Sequence, residues 1–402
     1  MEQTYFRRGF GLKREIEPLL AAEYHSALVA EIRAQGYTRD FGDLTVRLAA
    51  DFGFCYGVDR AVDYAYQTTV KFPDRRIFLV GEIIHNPHVN QRLKDAGVTF
   101  LYPGADGQFD FSMLCADDVV MLPAFGVTMH DFARLQEVGC VLVDTTCGSV
   151  LNVWKRVESY ARDRFTALIH GKYFHEETRA TASQVNTHPN GKYIIVRDMD
   201  EARLVCDFIE QNERALPLEE FSARFEEKAA KGFDPLRDLE RIGVANQTTM
   251  LASESLAIAA EIGKSMTIRY GHDHVQEHFR SFDTICSATQ ERQDAVLDMM
   301  QNPPDIMIVI GGYNSSNTNH LAHLCREYTT TYHIADATCI DVEAGTIRHK
   351  QELAPDAPEV ITGEWLSPGP ITLGLTAGAS TPNNKIGETI ERILALRGNP
   401  ND

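Results

Sequence analysis

The sequence predicts an α/β protein of several units with mainly parallel sheets. Short apolar runs recur along the chain, each followed by a polar, often glycine-bearing loop and then by helical periodicity, the pattern of strands joined by helical crossovers. One turn also echoes through the chain, as Asp144-Thr-Thr-Cys147, Asp283-Thr-Ile-Cys286 and Asp336-Ala-Thr-Cys339. Three similar units could aim such turns at one centre.

At 402 residues, 44% hydrophobic and 24% charged, the composition is that of a globular chain long enough for two or three domains. A formal net charge of -18 opposes general nucleic-acid binding, which needs Lys and Arg to neutralise phosphates. Eight scattered cysteines do not resemble a secreted disulfide scaffold. No apolar run reaches the length of a membrane span and the first residues lack the apolar core of a signal peptide, so no membrane association and a cytoplasmic location are expected.

In order, Leu19, Leu20, Tyr24, Leu28 and Ile32 share one face of a helix over Glu15 to Gln35, which Gly36 stops; residues 1–44 read as a mainly helical extension. A first α/β unit is expected over 45–147. There, alternating Leu44, Val46 and Leu48 run into Gly53-Phe-Cys55-Tyr-Gly57 and then into the helical spacing of Val58, Val62, Ala65 and Thr69. The strand Arg76-Ile-Phe-Leu-Val-Gly81 leads to Glu82-Ile-Ile-His85, Val119 to Leu122 leads to Pro123-Ala-Phe-Gly126, and Val141 to Val143 leads to Cys147. A second unit, over 148–282, has a strand from Thr166 to His170 that opens into Gly171-Lys-Tyr-Phe-His175-Glu-Glu177-Thr. After a charge-rich insertion near 210–238, Ile242-Gly-Val-Ala leads to Asn246-Gln-Thr248-Thr. A third unit, over 283–402, carries Cys286, the strand Ile306 to Ile310 with Gly311-Gly-Tyr-Asn-Ser315-Ser316-Asn317, the strand Ile371-Thr-Leu-Gly-Leu with Thr376-Ala-Gly-Ala-Ser380, and a terminal helix from Lys385 to Leu396.

Cys55, Cys147 and Cys286 fall at turns that enter helices, and Cys339 sits in a related turn. A helix N-terminus favours negative charge and so favours a thiolate, the form that binds metals or attacks substrates. Thiolates select iron-sulfur clusters, zinc or copper, and spacing alone does not choose three ligands from these four cysteines. A cysteine in a glycine-tightened turn is otherwise just a small buried side chain. His85, His175 and the run from Asn314 to Asn317 lie on loops that open helices, where amides and hydroxyls suit phosphate oxygens; singly, each reads as a cap or turn. Glu176 and Glu177 are candidates for proton transfer, or else a solvated first helical turn. His272, His274 and His278 form a rival zinc arrangement that lacks the usual glutamate after the first histidine.

These motifs together, in this order from about Val46 to the terminal helix, resemble the 4-hydroxy-3-methylbut-2-enyl diphosphate reductase family, in its longer plastid and cyanobacterial branch. The resemblance implies three pseudo-symmetric α/β units around a central iron-sulfur cluster. It implies a [4Fe-4S] cofactor with three cysteine ligands, Cys55, Cys147 and Cys286, and one open iron, leaving Cys339 without a ligand role. It implies Glu177 as proton donor with Thr248 beside it, and His85, His175, Ser315, Ser316, Asn317 and Ser380 as the diphosphate cradle. Phe125 stands where short bacterial members have histidine, so one phosphate contact must come from elsewhere, with Lys172 or His88 as candidates. The reaction implied is reductive dehydroxylation of the allylic diphosphate to isopentenyl and dimethylallyl diphosphates, the last step of the methylerythritol phosphate route, fed by a ferredoxin or flavodoxin-type donor. A different class, a non-catalytic iron-sulfur redox sensor binding an anionic ligand, predicts a reducible cluster without product.

Overall fold

The computed structural model describes residues 4–352 and 357–398. Among them, no helix is long and apolar enough to cross a membrane. The chain forms two compact units, each drawn from separate stretches. One contains the chain up to Arg8, Asp74–Gly81 and Thr99–Cys286; the other contains Gly9–Pro73, Glu82–Val98 and the chain from Ser287 onward.

The first unit holds two fully parallel sheets. One runs in the order Tyr5–Phe6, Val141–Asp144, Val119–Leu122, Ile77–Val80, Thr99–Leu101. The other runs Phe279–Ser281, Ile242–Asn246, Thr166–His170, Tyr193–Val196. Every residue of Ile77–Val80, Val119–Leu122, Val141–Asp144 and Thr166–His170 is buried. Helices cover both faces of such sheets, so strand sequences lose polar alternation and read as unbroken apolar runs.

The second unit is built on one sheet whose centre is parallel: Thr330–Ile334, Ile306–Ile310, Ile371–Ala377, Leu44–Leu48. Antiparallel strands finish its edges, Thr38–Phe41 on one side and Thr346–Lys350 with Glu359–Gly363 on the other. Val46, Ile308, Leu373 and Leu375 pack with Ile386, Ile390 and Ile393 of the terminal helix Asn383–Leu396 to form its core.

Two expectations need correction, and the insertion gains a detail. The strand Leu44–Leu48, expected to open a unit over 45–147, pairs with Ile371–Ala377, with Leu48 opposite Leu375, so the Cys55 turn hangs from the C-terminal sheet. Alternation shows that a strand has a buried face but not which distant strand covers its edge. The N-terminal helix is two helices, Lys13–Tyr24 and Ala27–Ala34, because Ser26 caps the second by accepting the Val29 amide at 3.2 Å. Tyr5–Phe6 adds a strand ahead of them. The charge-rich insertion is packed as well as polar: its helix Leu218–Phe225 buries Phe221 and Phe225, with Phe221 4.7 Å from the Phe208 ring.

Candidate active site

The Asp-x-x-Cys echo is a repeated piece of geometry. Asp144 accepts the Thr146 amide at 3.0 Å, Asp283 the Ile285 amide at 3.0 Å, and Asp336 the Thr338 amide at 2.8 Å. Each aspartate thus folds its own turn, and the cysteine follows one residue later. The outcomes then differ. Cys147 caps the helix Gly148–Arg162 without a side-chain hydrogen bond, and Cys286 precedes the helix Ser287–Met300. Cys339 instead ends a short 3-10 turn inside the apolar core of its unit, with the Tyr313 hydroxyl 3.8 Å from its sulfur.

In the first unit, the strand Thr166–His170 delivers the loop that ends in His175, the cap of the helix Glu176–Ser183. Nδ1 of His175 accepts the Glu177 amide at 3.2 Å, which assigns the proton of a neutral ring to Nε2 and makes that nitrogen a donor. The Phe125 ring meets His175 edge to face at 6.0 Å. Glu177 is buried, and its Oε1 accepts the Thr248 amide at 2.6 Å. The Thr248 carbonyl in turn receives the Cys286 amide at 3.5 Å. One main-chain path therefore joins the carboxylate to the turn of a cysteine.

Gln247, which the sequence reading did not single out, holds this arrangement. Its Oε1 accepts from the Lys172 amide at 3.1 Å and the Thr178 hydroxyl at 3.0 Å, and its backbone N–H donates to His170 O at 2.8 Å. Its place directly after the strand Ile242–Asn246 was the available signal, and the structure buries the side chain fully. Lys172 is partly buried, and loss of hydration lowers its ammonium pKa.

In the second unit, Cys55 caps the helix Tyr56–Lys71, its sulfur accepting the Val58 amide at 3.4 Å. Gly53 has φ +81, and a side chain there would come within 2.7 Å of Asn383, so the turn requires glycine. The Cys55 amide donates to Ala379 O at 3.2 Å, while the Ala379 amide donates to Oδ1 of Asn317 at 2.9 Å. The same peptide stretch thus touches the cysteine turn and the polar loop. Ser315 caps the helix Ser316–Arg326. Ser316 Oγ and Asn317 Nδ2 are buried without a hydrogen-bond partner. Buried polar atoms are normally satisfied, so this pair has hydrogen-bonding capacity left over.

His85 is oriented by Glu82, whose carboxylate lies 3.1 Å from its Nδ1 and also accepts from Asn314 Nδ2 at 3.1 Å. Gly312 passes so close to His85 O that a Cβ would approach within 2.9 Å. Ser380 has its hydroxyl hydrogen committed to His85 O at 3.1 Å, leaving its oxygen lone pairs. His88 packs against Tyr24, ring centres 6.3 Å apart.

Three of the four remaining thiols are of another kind. Burial pushes Cys140 and Cys206 up to about 11 and Cys325 up to about 12, and all three sit in apolar clusters. The histidines of the rival zinc reading do not gather into a ligand group among the described residues. His278 stacks on Tyr270 at 3.6 Å, with Nδ1 2.8 Å from the Glu240 carbonyl. The helix there, Val275–His278, starts after His274, so the two do not share a helical face.

Parallel sheets with interleaved helices, and cysteines at helix starts in both units, define an α/β protein. More particularly, the chain belongs to the LytB protein family, whose sequence profile matches residues 46–394. It is 48% identical over 398 residues to 4-hydroxy-3-methylbut-2-enyl diphosphate reductase of Thermosynechococcus vestitus, covering 98% of this chain and 95% of that one. The reductase of Gloeobacter violaceus is 47% identical, covering 98% and 93%. A solved structure of (E)-4-hydroxy-3-methyl-but-2-enyl diphosphate reductase, the terminal enzyme of the non-mevalonate pathway, aligns with a TM-score of 0.51 at 27% identity, over 87% of this chain and 98% of that one. The Plasmodium falciparum E-1-hydroxy-2-methyl-but-2-enyl-4-diphosphate reductase shares the fold, with a TM-score of 0.63 at 18% identity over 87% of each chain. The family is one of iron-sulfur enzymes. The donor chemistry fits: Cys147 has a helix-end thiol with no competing side-chain bond, whereas the thiols buried in apolar cores are held protonated.

Proposed function

We propose that this chain reduces (E)-4-hydroxy-3-methylbut-2-enyl diphosphate to isopentenyl and dimethylallyl diphosphates, the closing step of the methylerythritol phosphate route. The observation that carries the proposal is the buried Glu177 carboxyl group, fixed by the Thr248 amide on the loop whose carbonyl also holds the Cys286 turn. Cys55, Cys147 and Cys286 would hold a [4Fe-4S] cluster as thiolates. When bound, that cluster supplies electrons and one iron open to the substrate's terminal oxygen.

The chain's own residues do the rest. Ser316 Oγ and Asn317 Nδ2, the unsatisfied donors, take diphosphate oxygens, at a helix N-terminus that favours negative charge. His175 donates from Nε2, His85 is aimed by Glu82, and Ser315 and Ser380 complete the cradle. Glu177 gives its proton to the leaving hydroxyl, with the Thr248 hydroxyl beside it, so that oxygen departs as water. Two electrons and a second proton, delivered to carbon, balance the reaction. The electrons come from a ferredoxin or flavodoxin-type protein.

The test is anaerobic purification with visible and EPR spectra, followed by assay of the allylic diphosphate with a strong one-electron reductant. Both five-carbon diphosphates are expected. A reducible cluster that yields neither would make the chain a sensor, and a preparation unable to take up iron and sulfide would end the proposal.

A further inference from the structure

We infer that Arg292 is a positioning residue for the cluster-holding turns and sets the electrostatic environment in which the cluster takes up an electron; the inference rests on the cluster reading above. Arg292 lies on the helix Ser287–Met300, which follows Cys286, and is only 2% exposed. Its Nη2 donates to Gly53 O and its Nη1 to Ala288 O, each at 2.7 Å. Gly53 stands two residues before Cys55, and Ala288 two residues after Cys286. One guanidinium thus ties the turn of one thiolate to the helix start that follows another.

A carbonyl clamp would need donors but no net charge. Arg292 brings a full positive charge into a buried place, where charge is costly unless an anion compensates. Its ion pair is with Asp51 Oδ1 at 3.5 Å, a carboxylate 36% exposed and so partly screened by water. Nε remains buried without a hydrogen-bond partner. Carbonyl oxygens and one screened carboxylate leave positive charge over, placed beside turns that carry thiolates. Iron-sulfur potentials depend on net charge and burial, so a buried cation beside the ligands favours the reduced, more negative state. Arginine's planar fork supplies both carbonyl bonds at once, and lysine's point charge does not reproduce that geometry.

The two roles separate in an EPR-monitored redox titration of the anaerobically reconstituted full chain, with iron and acid-labile sulfide counted and chelator-driven iron loss timed. Arg292→Met is expected to shift the midpoint to more negative potential. Arg292→Lys is expected to keep the midpoint close to wild type while losing iron faster. Asp51→Asn is expected to shift the midpoint the other way. Equal midpoints in all four proteins at full iron content overturn the electrostatic role, and unchanged iron loss in Arg292→Lys overturns the clamp. Should the Arg292 variants fail to hold iron, Asp51→Asn still decides: an unmoved midpoint overturns the electrostatic role. A wild-type chain that takes up no cluster sinks the proposed function itself, whereas a loaded wild type with unmoved midpoints sinks Arg292 alone.

Discussion

The backbone amide of Thr248 holds Oε1 of Glu177 at 2.6 Å, so that carboxyl oxygen is fixed by main chain. A substitution that keeps an acceptor at that oxygen should keep the local structure and lose only the chemistry.

Glu177→Gln is that substitution. The amide oxygen can accept from Thr248, but the residue has no acidic proton to give. Turnover should fall by about 10²–10⁴-fold, the usual worth of a positioned general acid. The visible spectrum of the cluster and substrate binding should stay as in wild type. Near-normal turnover would remove Glu177 from the proton path.

Ser316→Ala removes a hydroxyl that makes no hydrogen bond among the described residues, so its melting temperature should not drop. Hydrogen bonds to charged groups are worth about 1.5–3 kcal/mol, which puts the rise in KM at about 10- to 100-fold. Asn317→Ala should raise KM similarly and also lower stability by about 1 kcal/mol, because its Oδ1 holds the Ala379 amide. Calorimetric binding and thermal melts separate the two effects. Unchanged KM in both variants would take this loop out of the diphosphate site.

Alanine at Cys55, Cys147 or Cys286 should abolish the cluster signal, and alanine at Cys339 should not. Alkylation of the unfilled protein adds a pH test. The thiols of Cys140 and Cys206, raised to about 11, and of Cys325, raised to about 12, stay protonated and should resist iodoacetamide at pH 8. Mass spectrometry that finds these three alkylated before Cys147 would contradict the assignment.

Burial lowers His170 and His333 to about 4, so each is neutral in the folded chain at pH 7. In the unfolded chain their pKa is about 6.5. Between those values the unfolded state binds more protons, and stability falls as pH drops from about 6.5 to about 4, by roughly 3 kcal/mol for each histidine. Denaturant midpoints measured across that window should decline, and His333→Asn should flatten the decline. A midpoint constant from pH 7 to pH 4 would show that neither group is held neutral.

Phe221 is fully buried between Phe208 and Phe225. Phe221→Ala should cost about 3–5 kcal/mol, the range for large aromatic truncations in a core. A loss below about 1 kcal/mol would mean the insertion packs too loosely to support its unit.

Much of the site was legible because parallel strands end in their own loops. An apolar run followed by His175, Glu177 or Ser315 already places those residues at a strand's carboxyl end. The Asp-x-x-Cys turn was legible for the same local reason, since the aspartate bonds an amide two residues on. The partner of Leu44–Leu48 was not legible, because any buried strand satisfies the same alternation and the pairing is made hundreds of residues away. Nor were the tasks of Gln247 and Glu82, since a side-chain amide or carboxylate declares its acceptor only once the neighbouring loop is in place. The buried aromatics of the insertion were hidden by the charged residues around them.

Ala379 offers a methyl group and nothing else, yet its N–H holds Asn317 and its C=O holds Cys55. Side-chain substitution at this position would register as silent, because Ala379 makes both bonds with its peptide groups, and only the bond to Asn317 ends on a side chain. Proline lacks the N–H and would cut the tie to Asn317 alone. On the Ala379 side the coupling between the cysteine turn and the polar loop is thus written in amide planes, which substitution of that side chain does not read and which replacing one peptide link with an ester would.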